Sequence, residues 1–152
     1  MKTILIASLL GLAASPAFAR YLQTTAGDGK VVVADSVTSL QWTYDYSSSL
    51  NWQEALAYCE GLSYGGHSDW RLPNVNELRS LINVSRVLPA SDFPNAGMDT
   101  FWSSSSFVGF PSGPSTNYGW IAHAWYVNFG DGNVSILYFS KSSYLTVRCV
   151  RP

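Results

Sequence analysis

The chain has 152 residues, with nine Lys or Arg against ten Asp or Glu and a formal charge of −1. A balance this even provides no basic face for nucleic acid or anionic lipid. At 47% hydrophobic and 12% charged, with six Trp and nine Tyr, the chain has the apolar content for one buried core, unlike a disordered segment.

Residues 1–19 read as a signal peptide. Lys2 supplies the positive start, residues 4–12 an apolar stretch, and Ala17-Phe18-Ala19 a small-residue cleavage site, so the mature chain is expected to begin at Arg20. No later stretch approaches the roughly 20 apolar residues of a membrane helix, so no membrane insertion is expected. Export places the protein in the periplasm, at the cell surface or outside the cell.

Residues 20–30 are polar and contain glycine, and they read as a flexible start before a single domain over 31–152. Val31-Val32-Val33 and Leu40-Gln41-Trp42-Thr43-Tyr44 have strand composition around a turn at Asp35-Ser36. Ser47 to Ser49 reads as a polar loop. Asn51 then caps a helix with Glu54 at the reciprocal position, while Trp52, Ala55, Leu56 and Cys59 share one face and Gly61 stops it.

A short Trp70-anchored strand is expected to end at Pro73. A second helix opens at once behind Asn74, with Glu77 as its capping partner and Val75, Leu78 and Ile82 turned to the core. Asn83 to Met98, with Pro89 and Pro94, lacks periodicity and reads as loop. Phe101-Trp102 begin a strand that runs into four serines. Phe107 to Tyr118 is a long connection rich in Gly, Ser and Pro. Residues 121–129 alternate as a strand, residues 130–133 have turn chemistry, and residues 134–139 return antiparallel. Leu145, Val147 and Cys149 alternate inward on a last strand. The elements compose an α+β domain with two helices packed on a twisted antiparallel sheet.

Two cysteines in an exported chain are most simply one disulfide, Cys59 with Cys149. The rival is a metal held by both with His67 and His123. Zinc ligands usually come in close pairs, and none of these four are close in sequence. Asp92, Asp99 and Asp131 are the carboxylates to weigh for calcium, but they form no calcium-loop motif. No nucleophile elbow is present, and His123 shares a strand face with Trp125 and Val127, which suits a core or half-buried imidazole better than a general base. No cofactor, metal or catalytic set is expected.

Several blocks together resemble one family. Trp52 to Glu60, Ser68-Asp69-Trp70-Arg71-Leu72-Pro73-Asn74, Glu77-Leu78, Phe101-Trp102-Ser103-Ser104, Ala124 to Phe129 and Val147-Arg148-Cys149-Val150-Arg151 look like the Lcl C-terminal domain family, in its order and over nearly all of 31–151. The resemblance implies a fold similar to C-type-lectin-like and formylglycine-generating-enzyme-like domains, with a helix-to-last-strand disulfide. For the adhesin that lends the family its name, it implies binding to sulfated glycans and self-association. A polysulfate needs several Lys or Arg converging on one surface, and Arg71, Arg148 and Arg151 all fall in the fold blocks. The copper or redox chemistry of the enzyme relatives needs thiols that a disulfide consumes.

The remaining site candidates are aromatic. Phe107, Phe110, Asn117, Tyr118 and Trp120 lie in or beside the long connection, where rings suit sugar faces and amides suit hydroxyls. That connection has no Lys or Arg, so its contacts are expected to be insensitive to salt. The sequence thus reads as an exported, non-enzymatic domain that recognises a glycan or a protein at the cell surface or in the periplasm. The alternative is a structural or self-association module of an envelope or surface assembly. Nothing in the pattern sets an oligomeric state.

Overall fold

The structure is a computed structural model, and it describes residues 19–107, 123–137 and 139–152. Residues 1–18, which hold most of the expected signal peptide, lie outside the described residues. No helix among the described residues is long and apolar enough to cross a membrane.

Strands dominate, with two short helices. In chain order come β1 (Tyr21–Thr25), β2 (Val31–Asp35), β3 (Gln41–Thr43), β4 (Ser47–Leu50), α1 (Trp52–Glu60), α2 (Val75–Arg79), β5 (Thr100–Ser106), β6 (Ala124–Asn128), β7 (Val134–Ser135), β8 (Leu145–Val147) and β9 (Val150–Arg151). They form two sheets, of order β1-β2-β3-β9 and β4-β8-β5-β6-β7.

Five expectations are corrected by this arrangement. Residues 20–30 are not a flexible start, because β1 pairs with β2 along its whole length, from Tyr21 opposite Asp35 to Thr25 opposite Val31. The serines at 47–49 are not a loop, since Ser47 and Leu50 pair with Val147 and Leu145 of β8. The segment before Pro73 makes only one bridge, Arg71 to Val150. A single antiparallel sheet is replaced by two, and β5 runs parallel to β8 at Phe101 and Thr146. The last strand is split between the sheets. β8 belongs to the five-stranded sheet and β9 to the four-stranded one, with Arg148 and Cys149 at the crossing.

Both helices carry complete capping boxes. Asn51 accepts from the Glu54 N–H at 3.0 Å while Glu54 accepts from the Asn51 N–H at 2.9 Å, and Gly61 closes the helix. Asn74 and Glu77 repeat the reciprocal pair at α2. Local i to i+3 bonds of this kind need no tertiary support to be legible.

The five-stranded sheet is buried on both faces. Trp102 and Tyr126 pack with Trp52, Ala55 and Cys59 of α1. Their neighbours Phe101 and Val127 pack with Leu78 of α2 and with Val33, Trp42 and Val150 of the other sheet. From His123 to Phe129, residues Ala124, Tyr126, Val127 and Phe129 are buried and His123, Trp125 and Asn128 are half-buried, so neither side of β6 is open to solvent. Cys59 and Cys149 form the expected disulfide, with Cα atoms 5.6 Å apart and a sequence separation of 90.

Two carboxylates tie distant segments together. The buried Asp35 side chain receives Arg20 at 3.0 and 2.9 Å, the Val37 N–H and the Thr38 hydroxyl. Burial pushes this carboxyl up, but Arg20 and the two further donors outweigh it and hold it below its ordinary value. Glu77 is held down first by Arg71, which bonds it twice at 2.7 Å, and then by the Asn74 N–H. A carboxyl whose pKa is lower when folded contributes stability above its unfolded pKa of about 4 and loses it as pH falls through the folded value. Urea midpoints are therefore expected to stay level from neutral pH down to about pH 5 and to drop below about pH 4. Glu77→Gln should shrink that drop.

Candidate functional site

A concavity lies where α2 meets the β6–β7 hairpin. It is a groove of about 580 Å³ lined by Arg79, Ile82, Val84, Trp125, Gly132 and Val134. Arg79 ends α2, Trp125 stands on β6, and Val134 opens β7. The walls come from segments far apart in sequence, brought together by packing of α2 against β6.

Gly132 sets the floor. Its φ is +78°, and an added Cβ would stand 3.0 Å from Ile82 Cγ2 and 3.5 Å from Ala90. A side chain at this position would be strained by the positive φ and would crowd the Ile82 side chain. The Asp131 carboxylate accepts the Asn133 N–H at 2.9 Å, and the Gly132 N–H donates to the Asn128 carbonyl at 2.8 Å, so the turn is braced from within.

Trp125 is half-buried, with one side on the groove. Phe107 meets it edge-on, with ring centroids 6.3 Å apart and planes at 75°. The Phe107 N–H donates to the His123 carbonyl at 3.1 Å, and His123 bridges to Ser140. Of the expected ligand residues, Phe107 therefore abuts the groove. Phe110, Asn117, Tyr118 and Trp120 lie outside the described residues.

Other candidates have structural partners. Trp102, at 0% exposure, donates its indole N–H to the Leu50 carbonyl and is core. Arg71 pairs with Glu77, and Asp69 pairs with Arg151 at 2.6 and 3.0 Å. Asp92 is taken by Asn83 and Arg86. Among the described residues no three His, Cys, Asp or Glu side chains cluster as metal ligands would.

Two arginines were not singled out as site residues by the sequence pattern. Arg79 is exposed at the end of α2 and makes no ion pair among the described residues, so its guanidinium is available at the groove wall. Arg148 is fully buried. Its guanidinium carbon lies 4.4, 5.2 and 5.4 Å from the rings of Phe93, Tyr46 and Phe101, and Nη2 donates to the Asn95 carbonyl. Burial pulls its pKa down to about 10. Arg148 is enclosed by aromatic faces that stabilise its charge, and it is out of reach of any surface ligand.

The groove lining therefore brings together the Trp125 indole, aliphatic side chains and a guanidinium that makes no ion pair among the described residues. Such a set can stack on C–H surface and donate hydrogen bonds. A family model described as Lcl C-terminal domain matches residues 31–151, which takes in every element from β2 to β9. No curated protein matches the chain.

Proposed function

The chain belongs to the Lcl C-terminal domain family, and from that premise we propose that it is an exported, non-enzymatic binding domain that recognises a glycan at the cell surface or in the periplasm through the groove at Trp125. The observation that carries this reading is the half-buried Trp125, buttressed by Phe107 and set in a groove of about 580 Å³ on a rigid sheet. A half-buried ring braced by a neighbour loses little freedom when a sugar face covers it. By composition alone, the connection from Phe107 to Trp120 holds residue types of the same kind, with Asn117 suited to hydroxyls and Tyr118 to sugar faces. The helix-to-strand disulfide and the α+β body support a C-type-lectin-like reading of the fold.

Stacking and neutral hydrogen bonds govern this site, and Arg79 adds a single charge. Affinity for a neutral oligosaccharide is therefore expected to change little across an ionic-strength series. Trp125→Ala should weaken binding about tenfold, a loss of about 1.4 kcal/mol. Titration calorimetry of the native chain and this variant, with neutral and polysulfated oligosaccharides, checks both expectations. A steep loss with salt, with Trp125→Ala silent, would replace this reading by ion pairing through scattered arginines.

A further inference from the structure

The backbone register leaves one sheet edge open. At the two ends of the β1–β2 pair, the Ser36 N–H donates to the Arg20 carbonyl at 2.9 Å and the Ala26 N–H to the Lys30 carbonyl at 2.8 Å. Hydrogen-bonded and non-bonded pairs alternate along an antiparallel ladder, so the even-numbered residues of β1 bond to β2. Tyr21, Gln23 and Thr25 consequently direct their N–H and C=O groups away from β2, on the outer side of a terminal strand. Leu22 to Thr25 are all exposed, Leu22 at 64%.

Natural sheets blunt their edges with Lys, Pro, bulges, short strands or a covering segment. Among the described residues, the other three terminal strands carry such features. β4 has a register shift between Ser47 and Leu50. β7 is two residues long. β9 is also two residues long, and Arg71 bonds both ways with Val150 on its open side. β1 has five residues, Tyr-Leu-Gln-Thr-Thr, with no Lys, Pro, Gly or bulge. It also precedes the residues matched by the family model, so it is additional to the part of the chain that defines the family.

We propose that β1 pairs antiparallel with β1 of a second copy of this chain, about a twofold axis at Gln23, and joins two four-stranded sheets into one continuous sheet. The strand is complementary to itself in this register. Gln23 faces Gln23 and Tyr21 faces Thr25 as hydrogen-bonded pairs, which satisfies each outward N–H and C=O of the three residues. Leu22 faces Thr24, and no like charges stand opposite one another. Thr24 lines a shallow concavity of about 180 Å³ with Ala26, Val32 and Ala34, so Leu22 of the second copy covers apolar surface there. A second copy fits this edge better than an arbitrary peptide because every facing pair is supplied by β1 itself. The inference is independent of the groove at Trp125, which lies on the other sheet.

Sedimentation equilibrium of the protein purified after export, from micromolar to millimolar concentration, is expected to show a monomer–dimer equilibrium. Gln23→Pro removes an N–H that points outward and touches no bond to β2, so it should leave the thermal melt in place and abolish the dimer. Gln23→Lys brings two ammonium groups face to face and should weaken the dimer at least about tenfold at low salt, and less at high salt. A native chain that stays monomeric at every concentration overturns the proposal. So does a dimer that survives Gln23→Lys unchanged, since the contact then lies elsewhere. If Gln23→Pro does not fold, Gln23→Lys decides alone, because that side chain is exposed and makes no side-chain hydrogen bond among the described residues.

Discussion

Trp70→Ala is expected to destabilise the domain by about 3 to 5 kcal/mol, the usual cost of deleting a buried Trp. Trp70 is 2% exposed and packs edge-on against Tyr64, with centroids 5.8 Å apart and planes at 88°. Its indole N–H donates to the Tyr64 carbonyl at 3.0 Å. The substitution removes the ring, leaves a cavity and orphans that carbonyl. Tyr64 is itself tied to the Val31 carbonyl and to Asp45, so the damage reaches the start of β2. A loss of this size is a large share of the 5 to 15 kcal/mol that holds a typical domain. Urea melts followed by far-ultraviolet circular dichroism should place the variant's midpoint about 2 M below the native one. An unchanged midpoint would mean that Trp70 belongs to a binding surface. Trp125→Ala provides the contrast, because a half-buried groove residue should affect binding more than the melt.

Opening the Cys59–Cys149 link is expected to have an effect of similar size. The link joins α1 to the crossing between β8 and β9, and both sulfurs lie in the core. Closing a loop of 90 residues removes about 4 to 5 kcal/mol of unfolded-chain entropy on the chain-entropy model. The double substitution Cys59→Ala with Cys149→Ala should cost about that much, mainly because the unfolded chain regains the entropy that the link had removed. Thiol labelling of the unreduced native protein should find no reactive cysteine, and the double variant should unfold at markedly lower urea. Two labelled thiols in the native protein, or coincident melts, would contradict this.

Elements built from local chemistry were legible in the sequence. Asn51 with Glu54, and Asn74 with Glu77, cap their helices through bonds three residues apart, and Gly61 ends α1 within the same turn. Trp52, Ala55 and Cys59 lie on one helical face by spacing alone, and two cysteines behind an expected export signal suggested the disulfide. What the sequence could not decide was partnership between distant segments. Tyr21 to Thr25 and Ser47 to Leu50 are polar runs without apolar alternation, and they become strands because Val31 to Asp35 and Leu145 to Val147 offer them backbone partners. The alternation over Leu145, Val147 and Cys149 suggested one strand, but Arg148 and Cys149 mark a crossing where the chain leaves one sheet for the other. Arg148 reads as a surface charge by residue type, and only the convergence of Tyr46, Phe93 and Phe101 gives it an interior site. The groove follows the same rule. Arg79 and Ile82 lie far in sequence from the hairpin that carries Trp125 and Gly132 and share no local signal with it, so the sequence determined the capped helix and the hairpin turn separately, while the packing of α2 against the β6–β7 hairpin decided that these side chains meet.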